Sequence, residues 1–370
     1  MMRMRKFKPD YLFALVVFLL CLFGLMMISS ASIVISQERF GNNFYYVTHQ
    51  AVSLIIGLIL MLLAYFIDYR FWQKIALTFF LASLIILLGV FIPKIGQEFG
   101  GAHRWIGIGG LFFQPSEIIK LTFVIYLAAW LAKRGDKIQN FSLGFIPFAF
   151  LMIVLGFLIM SQPDLGTLSV IVITGAVVFF AAGARLSHLG AGAAIVAALF
   201  YFLIKIAPYR LQRFLVFLNP NQETLGAAYH INQALIAIGS GGLWGLGFGQ
   251  SKQKYLYLPQ AHTDSIFAII AEELGFIRAG LVILAFIFLG LKGLKIAQNA
   301  PDDFGRLLAV GITSWLVFQA FINIAAMVNL LPFTGIPLPF ISFGGTSLII
   351  SLFGAGILLN ISKYSHKGEV

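Results

Sequence analysis

A short polar segment, His262-Thr263-Asp264, runs straight into an apolar stretch that carries two adjacent acids, Glu272 and Glu273. Acids are costly to hold in sequence fit for hydrocarbon, which makes them candidates for function. An ionised Asp264 at the start of such a stretch can take a proton from an attacking hydroxyl. A third acid, Glu117, precedes Lys120 by three residues in PSEIIK, so the two share one helix face. They can form a structural ion pair or the charged wall of a cavity. Asp164, in SQPDLGT, sits where a helix should begin, and capping that helix is its favoured reading. Arg210 and Arg213, in YRLQRFLVFL, share one side of a short amphipathic helix. That helix can be a plain membrane anchor, but arginine forks also suit phosphate. A base beside cations is the equipment for group transfer from a phosphorylated donor.

The elements that must position these residues follow from composition. With 60% hydrophobic and 11% charged residues in 370, the chain is not a soluble protein. Apolar runs of spanning length fall at about 11–33, 47–67, 75–93, 115–132, 142–160, 166–184, 187–206, 265–291, 306–331 and 343–362. The expected fold is therefore all-α: a single polytopic membrane domain of about ten spans, with a long extracytoplasmic loop over about 205–263 between spans 7 and 8. About fifteen of the 25 Lys and Arg lie at the N-terminus, in the loops at 68–74, 133–141, 185–187 and 292–305 and in the tail, against about eight on the other side. That places those loops and both termini in the cytoplasm by the positive-inside rule, and topology and anionic lipid explain the charge better than nucleic acid does. Cys21 stands alone in an apolar run, which excludes a disulfide framework.

In this topology spans 4, 6, 8 and 10 begin at the outer face, so Glu117, Lys120, Asp164 and Asp264 gather there with four positive helix ends. Beside Arg210 and Arg213 this makes an anion site. The stretch IAIGSGGLWGLGFGQS lacks the GK[ST] of a phosphate-binding loop, and its six glycines between Gly239 and Gly249 are read as a tightly turning or re-entrant backbone. The apolar Pro/Gly-rich segment Asn329–Ser347 reads as packing, or as a lip against which a lipid chain lies. No nucleotide pool exists outside the cell, so a synthetic reaction there needs an activated substrate. A lipid-linked pyrophosphate sugar meets that need.

The pieces QPSEIIK (Gln114–Lys120), QPDLGT (Gln162–Thr167), IAIGSGGLWGLGFGQS, YLPQAHTDSIFAIIAEELG and IPLPFISFGGTS (Ile336–Ser347) closely resemble the SEDS family (shape, elongation, division and sporulation; the FtsW, RodA and SpoVE group). They occur in the family's order over nearly the whole chain, and the segments GQSKQKYLYLPQAHTD and LPFTGIPLPFIS look closer to the FtsW-like division branch or the sporulation branch than to the elongation branch. The resemblance implies a peptidoglycan glycosyltransferase of the bacterial cytoplasmic (inner) membrane that polymerises lipid II and works with a class B penicillin-binding protein, a transpeptidase. It implies that Asp264 is the essential acid and that Glu117 and Lys120 are a charged pair near the cavity. Arg104, Arg210, Arg213, His262, Thr263 and Ser240 complete the expected substrate-binding set, with Asp164, Glu272 and Glu273 as secondary candidates. A divalent cation, Mg or Mn, is possible between Asp264 and the pyrophosphate. Ser265 and Arg278 depart from the family, which commonly has Phe and Gly there; Arg278, some fourteen residues or about 21 Å along the helix from Asp264, is expected in the cytoplasmic half.

The rival is a transporter that flips lipid II, which ten spans and buried acids would also fit. A flippase needs charge along a path across the bilayer, whereas here only Glu272 and Glu273 are expected to lie deep. The third reading, a scaffold for the transpeptidase, does not require buried acids.

Overall fold

Polar residues at the edges of the apolar runs start the helices. The Asp10 carboxylate accepts from Phe13 N at 3.0 Å, Asp68 from Arg70 N at 2.9 Å, and Asp302 from Gly305 N at 2.8 Å. Pro115 occupies the first helical turn, where its missing N–H costs nothing. The computed structural model describes residues 8–93, 95–99, 102–108, 111–206, 211, 215–218 and 226–364. Its helices are α1 (Tyr11–Ala31), α2 (Ile33–Phe40), α3 (Tyr45–Phe66), α4 (Tyr69–Leu88), α5 (Pro115–Ala132), α6 (Ile146–Met160), α7 (Leu165–Ala181), α8 (Leu186–Ile206), α9 (Ala227–Gly241), α10 (Ile266–Gln298), α11 (Asp303–Met327) and α12 (Gly345–Ser362). Among the described residues eight helices are long and apolar enough to cross a membrane, and Leu165–Ala181 and Leu186–Leu199 are shorter apolar helices. The chain is a polytopic helical membrane protein. Helices α5, α11 and α12 bury 78%, 83% and 72% of their apolar stretches, against 22% for α3. The first three therefore form the centre, and α3 presents most of its surface to lipid.

Side-chain ties define one end of the bundle. Asp10 N donates to Ser362 Oγ at 3.2 Å, Lys292 pairs with Asp10 at 3.0 Å, and Arg70 pairs with Asp302 at 2.9 Å. Arg306 donates to the Ala181 carbonyl and Lys363 to that of Tyr65. Both described ends of the chain thus lie on one face, here the termini face. The opposite, loop face carries a three-stranded antiparallel sheet that the sequence reading treated as a loop: β1 (Gly96–Phe99), β2 (Ala102–Ile108) and β3 (Leu111–Phe113). Gly96 stands opposite Ile106, and Ile106 opposite Phe113. The β-branched and aromatic residues of RWIGI and LFF favour pairing once α4 and α5 bring them together.

The structure corrects one span. The stretch expected as a continuous helix over 265–291 is broken at Gly275, with φ 80° and ψ 175°, a region open essentially to glycine alone. The break frees carbonyls and amides that the glycine-rich stretch takes up. Leu246 N and Gly247 N donate to the Glu272 and Glu273 carbonyls at 3.0 and 2.9 Å, and Phe276 N donates to the Gly242 carbonyl at 2.8 Å. The helix side of the break, at Glu272, Glu273 and Gly275, is buried, and the backbone groups freed there are satisfied internally, as a low-dielectric setting demands, while the glycine-rich stretch itself lies largely exposed. The break also corrects the depth of three side chains. Glu273 bonds Ser30 near the loop-face end of α1, about 29 Å up that helix from the Asp10 level, so Glu272 and Glu273 are not deep in the bilayer. Arg278 donates to the Trp244 carbonyl in the same region, and not in the half nearer the termini.

Candidate functional site

Asp264 immediately precedes α10 and is half-buried. Three elements hold its backbone. Asn323 Nδ2 of α11 donates to the Asp264 carbonyl at 2.8 Å, Ser342 Oγ donates to that of Thr263 at 2.6 Å, and Phe343 N donates to that of His262 at 2.9 Å. The last two donors belong to the apolar segment between α11 and α12. That segment also passes the carboxylate itself, for a Cβ at Gly335 would stand 3.4 Å from Asp264 Oδ2. The Thr263 hydroxyl turns back onto Gln260 at 2.9 Å and shapes the turn. His262 is buried against Tyr46 and Phe343, with ring centroids 4.3 and 5.6 Å away. Burial, and then the Arg39 charge, push its imidazole down to about 4, so the ring is neutral at pH 7.

Glu117 and Lys120 lie one layer beneath. Lys120 Nζ donates to Glu117 Oε1 at 2.7 Å and to Gln319 Oε1 at 2.6 Å, and stands 5.6 Å from the Trp315 ring centroid. Gln319 Nε2 in turn donates to the Pro337 carbonyl at 2.9 Å, and Asn323, one turn further along α11, donates to the Ile336 carbonyl at 2.7 Å as well as to Asp264. Gln319, tied to the ion pair, and Asn323, tied to Asp264, thus hold adjacent carbonyls of the same segment and connect the pair to the Asp264 backbone through α11. The pair is 2% and 1% exposed, so neither side chain walls an open cavity. Glu117 Oε2 is buried without a hydrogen-bond partner among the described residues.

Other expected site residues are used structurally. Arg104 on β2 donates to the Gln162 and Pro163 carbonyls and ties the sheet to the turn before α7. Asp164 caps α7, accepting from Thr167 N at 3.0 Å and Thr167 Oγ1 at 2.9 Å. Ser240 is exposed, and its hydroxyl donates to the Ala237 carbonyl. It stands about 15 Å along α9 from His230, the residue that meets Ser265 beside Asp264 at 2.6 Å, so it is remote from the carboxylate. Arg210 and Arg213 lie outside the described residues.

Glu272 and Glu273 form a separate buried cluster. Glu272 accepts from Ser251 Oγ and Lys252 N, and Glu273 accepts from Ser30 Oγ at 2.6 Å and pairs with buried Lys254 at 3.3 Å. Lys254 also donates to the Gly249 carbonyl at 2.6 Å, which pins the glycine-rich stretch to the helix break.

Lys254, Gln319 and Asn323 were not singled out from the sequence. A signal existed for each: a buried acid needs a nearby cation, and amides at i and i+4 in an apolar span need partners. Among the described residues no group of three His, Cys, Asp or Glu side chains could hold a metal ion.

Comparison with known proteins bears on the whole chain. A family model described as "Cell cycle protein", for FtsW, RodA and SpoVE, matches residues 10–367. "Stage V sporulation protein E" of Bacillus subtilis is 41% identical over 364 residues, covering 98% of this chain and 100% of its own. A "Probable peptidoglycan glycosyltransferase FtsW" of Geobacter sulfurreducens is 41% identical over 355 residues, covering 96% and 95%. Among solved structures, a chain from work on the structural coordination of polymerization and crosslinking by a peptidoglycan synthase complex superposes with a TM-score of 0.79 at 27% identity, over 96% of this chain and 97% of that one. The Rod shape determining protein RodA of Thermus thermophilus superposes with a TM-score of 0.70 at 28% identity, over 97% and 98%.

Proposed function

Since the chain belongs to the FtsW/RodA/SpoVE family of cell cycle proteins, we propose that it is a peptidoglycan glycosyltransferase that polymerises lipid II at the outer face of the cytoplasmic membrane, with Asp264 as its general base. The observation that carries this reading is the fixing of the Asp264 backbone by α11 and by the segment between α11 and α12, which sets the half-buried residue at the loop face. The acceptor's GlcNAc 4-hydroxyl attacks the MurNAc anomeric carbon of the lipid-linked donor. Asp264 takes the hydroxyl proton, and undecaprenyl pyrophosphate departs with inversion. The packing of His262 on Tyr46 and Phe343, and the Gln319 and Asn323 bonds above the Glu117–Lys120 pair, fix the backbone that carries Asp264. Asp264 is the carboxylate that would hold a divalent cation, which would supply positive charge to the departing pyrophosphate.

The termini face carries Arg70, Lys133, Arg134, Lys137, Lys292 and Arg306, which supports a cytoplasmic assignment for both ends and an external one for Asp264. The relatives' names and the polymerising and crosslinking complex support a membrane-bound class B penicillin-binding transpeptidase as partner. A flippase is disfavoured because Glu117, Asp164, Asp264, Glu272 and Glu273 all stand in the loop-face half.

The test is polymerisation of labelled lipid II by purified Asp264→Asn protein, alone and with the transpeptidase. Asn keeps the side chain's size and a hydrogen-bonding oxygen but cannot take the proton, so a loss of roughly 10²–10⁴-fold in rate is expected with the fold intact. Polymerisation at the wild-type rate by folded Asp264→Asn protein would overturn the assignment.

A further inference from the structure

On the lipid-facing side of the bundle, far from Asp264, Tyr126, Trp130, Pro147, Phe150, Leu151 and Val154 line a groove of about 280 Å³ between α5 and α6. Its floor is apolar and its upper end is not. Tyr126, Trp130, Lys133 and Arg134 recur at i, i+4, i+7 and i+8, which sets the basic residues directly above the aromatic lining on the termini face. Arg134 stands 4.6 Å from the Trp130 ring centroid and donates to the Leu143 carbonyl, so its guanidinium bridges from α5 to the turn before α6 and forms the rim. Lys133 and Lys137 are exposed beside it, and Asp136 is the one acid among the four charged residues of that turn. The π-helical turn Phe141–Phe145 and Pro147 at the head of α6 carry that helix away from α5 and leave the groove open.

From this geometry we infer that the α5–α6 groove is a binding site for an anionic phospholipid, with one acyl chain along Trp130 and the phosphate held by Lys133 and Lys137 above it. Any lipid can fill an apolar groove in a bilayer. What the rim adds is a choice of headgroup, because three cations against one acid favour a net negative lipid over a zwitterionic one. An indole at the junction of apolar lining and charged rim is the arrangement such residues adopt at the membrane interface.

Trp130 makes the site directly observable. The purified full-length protein in detergent is titrated with phosphatidylglycerol or with phosphatidylcholine, each carrying brominated acyl chains that quench tryptophan on contact. Quenching by brominated phosphatidylglycerol should reach its midpoint at a concentration at least fivefold lower than with phosphatidylcholine. The Trp130→Phe variant should lose that high-affinity component while keeping the quenching of the other tryptophans. Lys133→Gln with Lys137→Gln, both exposed and harmless to packing, should bring the two lipids to the same midpoint. Equal midpoints in the wild type would overturn the proposal. So would a phosphatidylglycerol preference that survives either set of substitutions.

Discussion

At the residue scale, the strongest constraint is the ion pair beneath Asp264. A buried pair contributes little net stability, but removing one partner strands the other charge at about 3–5 kcal/mol. Glu117→Gln and Lys120→Met are each expected to lower the melting temperature more than the double substitution, and each to reduce lipid II polymerisation through the Gln319–Asn323 path. If all three variants melt and polymerise like wild type, the pair does not position the site. His262 yields a pH dependence with a definite sign. Its imidazole is depressed to about 4, so the folded state binds fewer protons than the unfolded state across the interval below 6.5. The stability it contributes is present above pH 6.5 and is lost as pH falls toward 4. His262→Phe, which keeps the stacking on Tyr46 and Phe343, should flatten that loss; thermal melts between pH 7 and 4.5 test it, and an unchanged slope counts against a buried neutral ring. Residue chemistry was partly legible in the sequence. The caps at Asp164 and the i, i+3 pairing of Glu117 with Lys120 follow from local spacing. The partners Lys254, Gln319 and Asn323 are set by long-range packing, and Arg104 by a sheet that the apolar pattern did not announce.

At the element scale, the feature that matters is the break in α10. Sequence periodicity sees one apolar run over 265–291, because composition does not change across Gly275. Only the glycine itself and the glycine-rich stretch Gly239–Gly249 hint at a break, and the second was indeed read as a tight or re-entrant turn. The two features are halves of one structure, since a Cβ at Gly275 would stand 2.3 Å from Gly245 N and one at Gly245 2.3 Å from the Glu273 carbonyl oxygen. Gly275→Ala therefore meets both a forbidden backbone angle, which costs on the order of 1–3 kcal/mol, and a clash with backbone that cannot easily yield. It should lower yield and melting temperature and release the Lys254–Glu273 contact, which proteolysis of the 242–258 stretch would report. A variant as stable and protease-resistant as wild type would mean that the helix runs straight.

At the scale of the molecule, the apolar runs and the charge bias were enough to recover a helical membrane protein with both ends together, because those features depend only on segment length and loop composition. Which side faces the cytoplasm follows by proposal from the same bias. Cys21 is buried, so single cysteines placed at Gln139 and Tyr257, both exposed, give a clean measurement. In intact cells an impermeant maleimide should label Tyr257→Cys and leave Gln139→Cys unmodified until the membrane is opened. The reverse pattern would invert the topology and remove Asp264 from any external substrate.

The pairing of α3 with α12 reaches beyond the finished protein to its manufacture. These two helices lie along one another for most of their length, yet 300 residues separate Tyr45 from Gly345. At translation rates of about 5–20 residues per second, α3 waits roughly 15–60 s in the bilayer before its partner is made. For that interval the inner face of α3 is open to whatever the membrane offers. Surveillance proteases therefore meet this protein at its most vulnerable before α12 arrives and closes over α3.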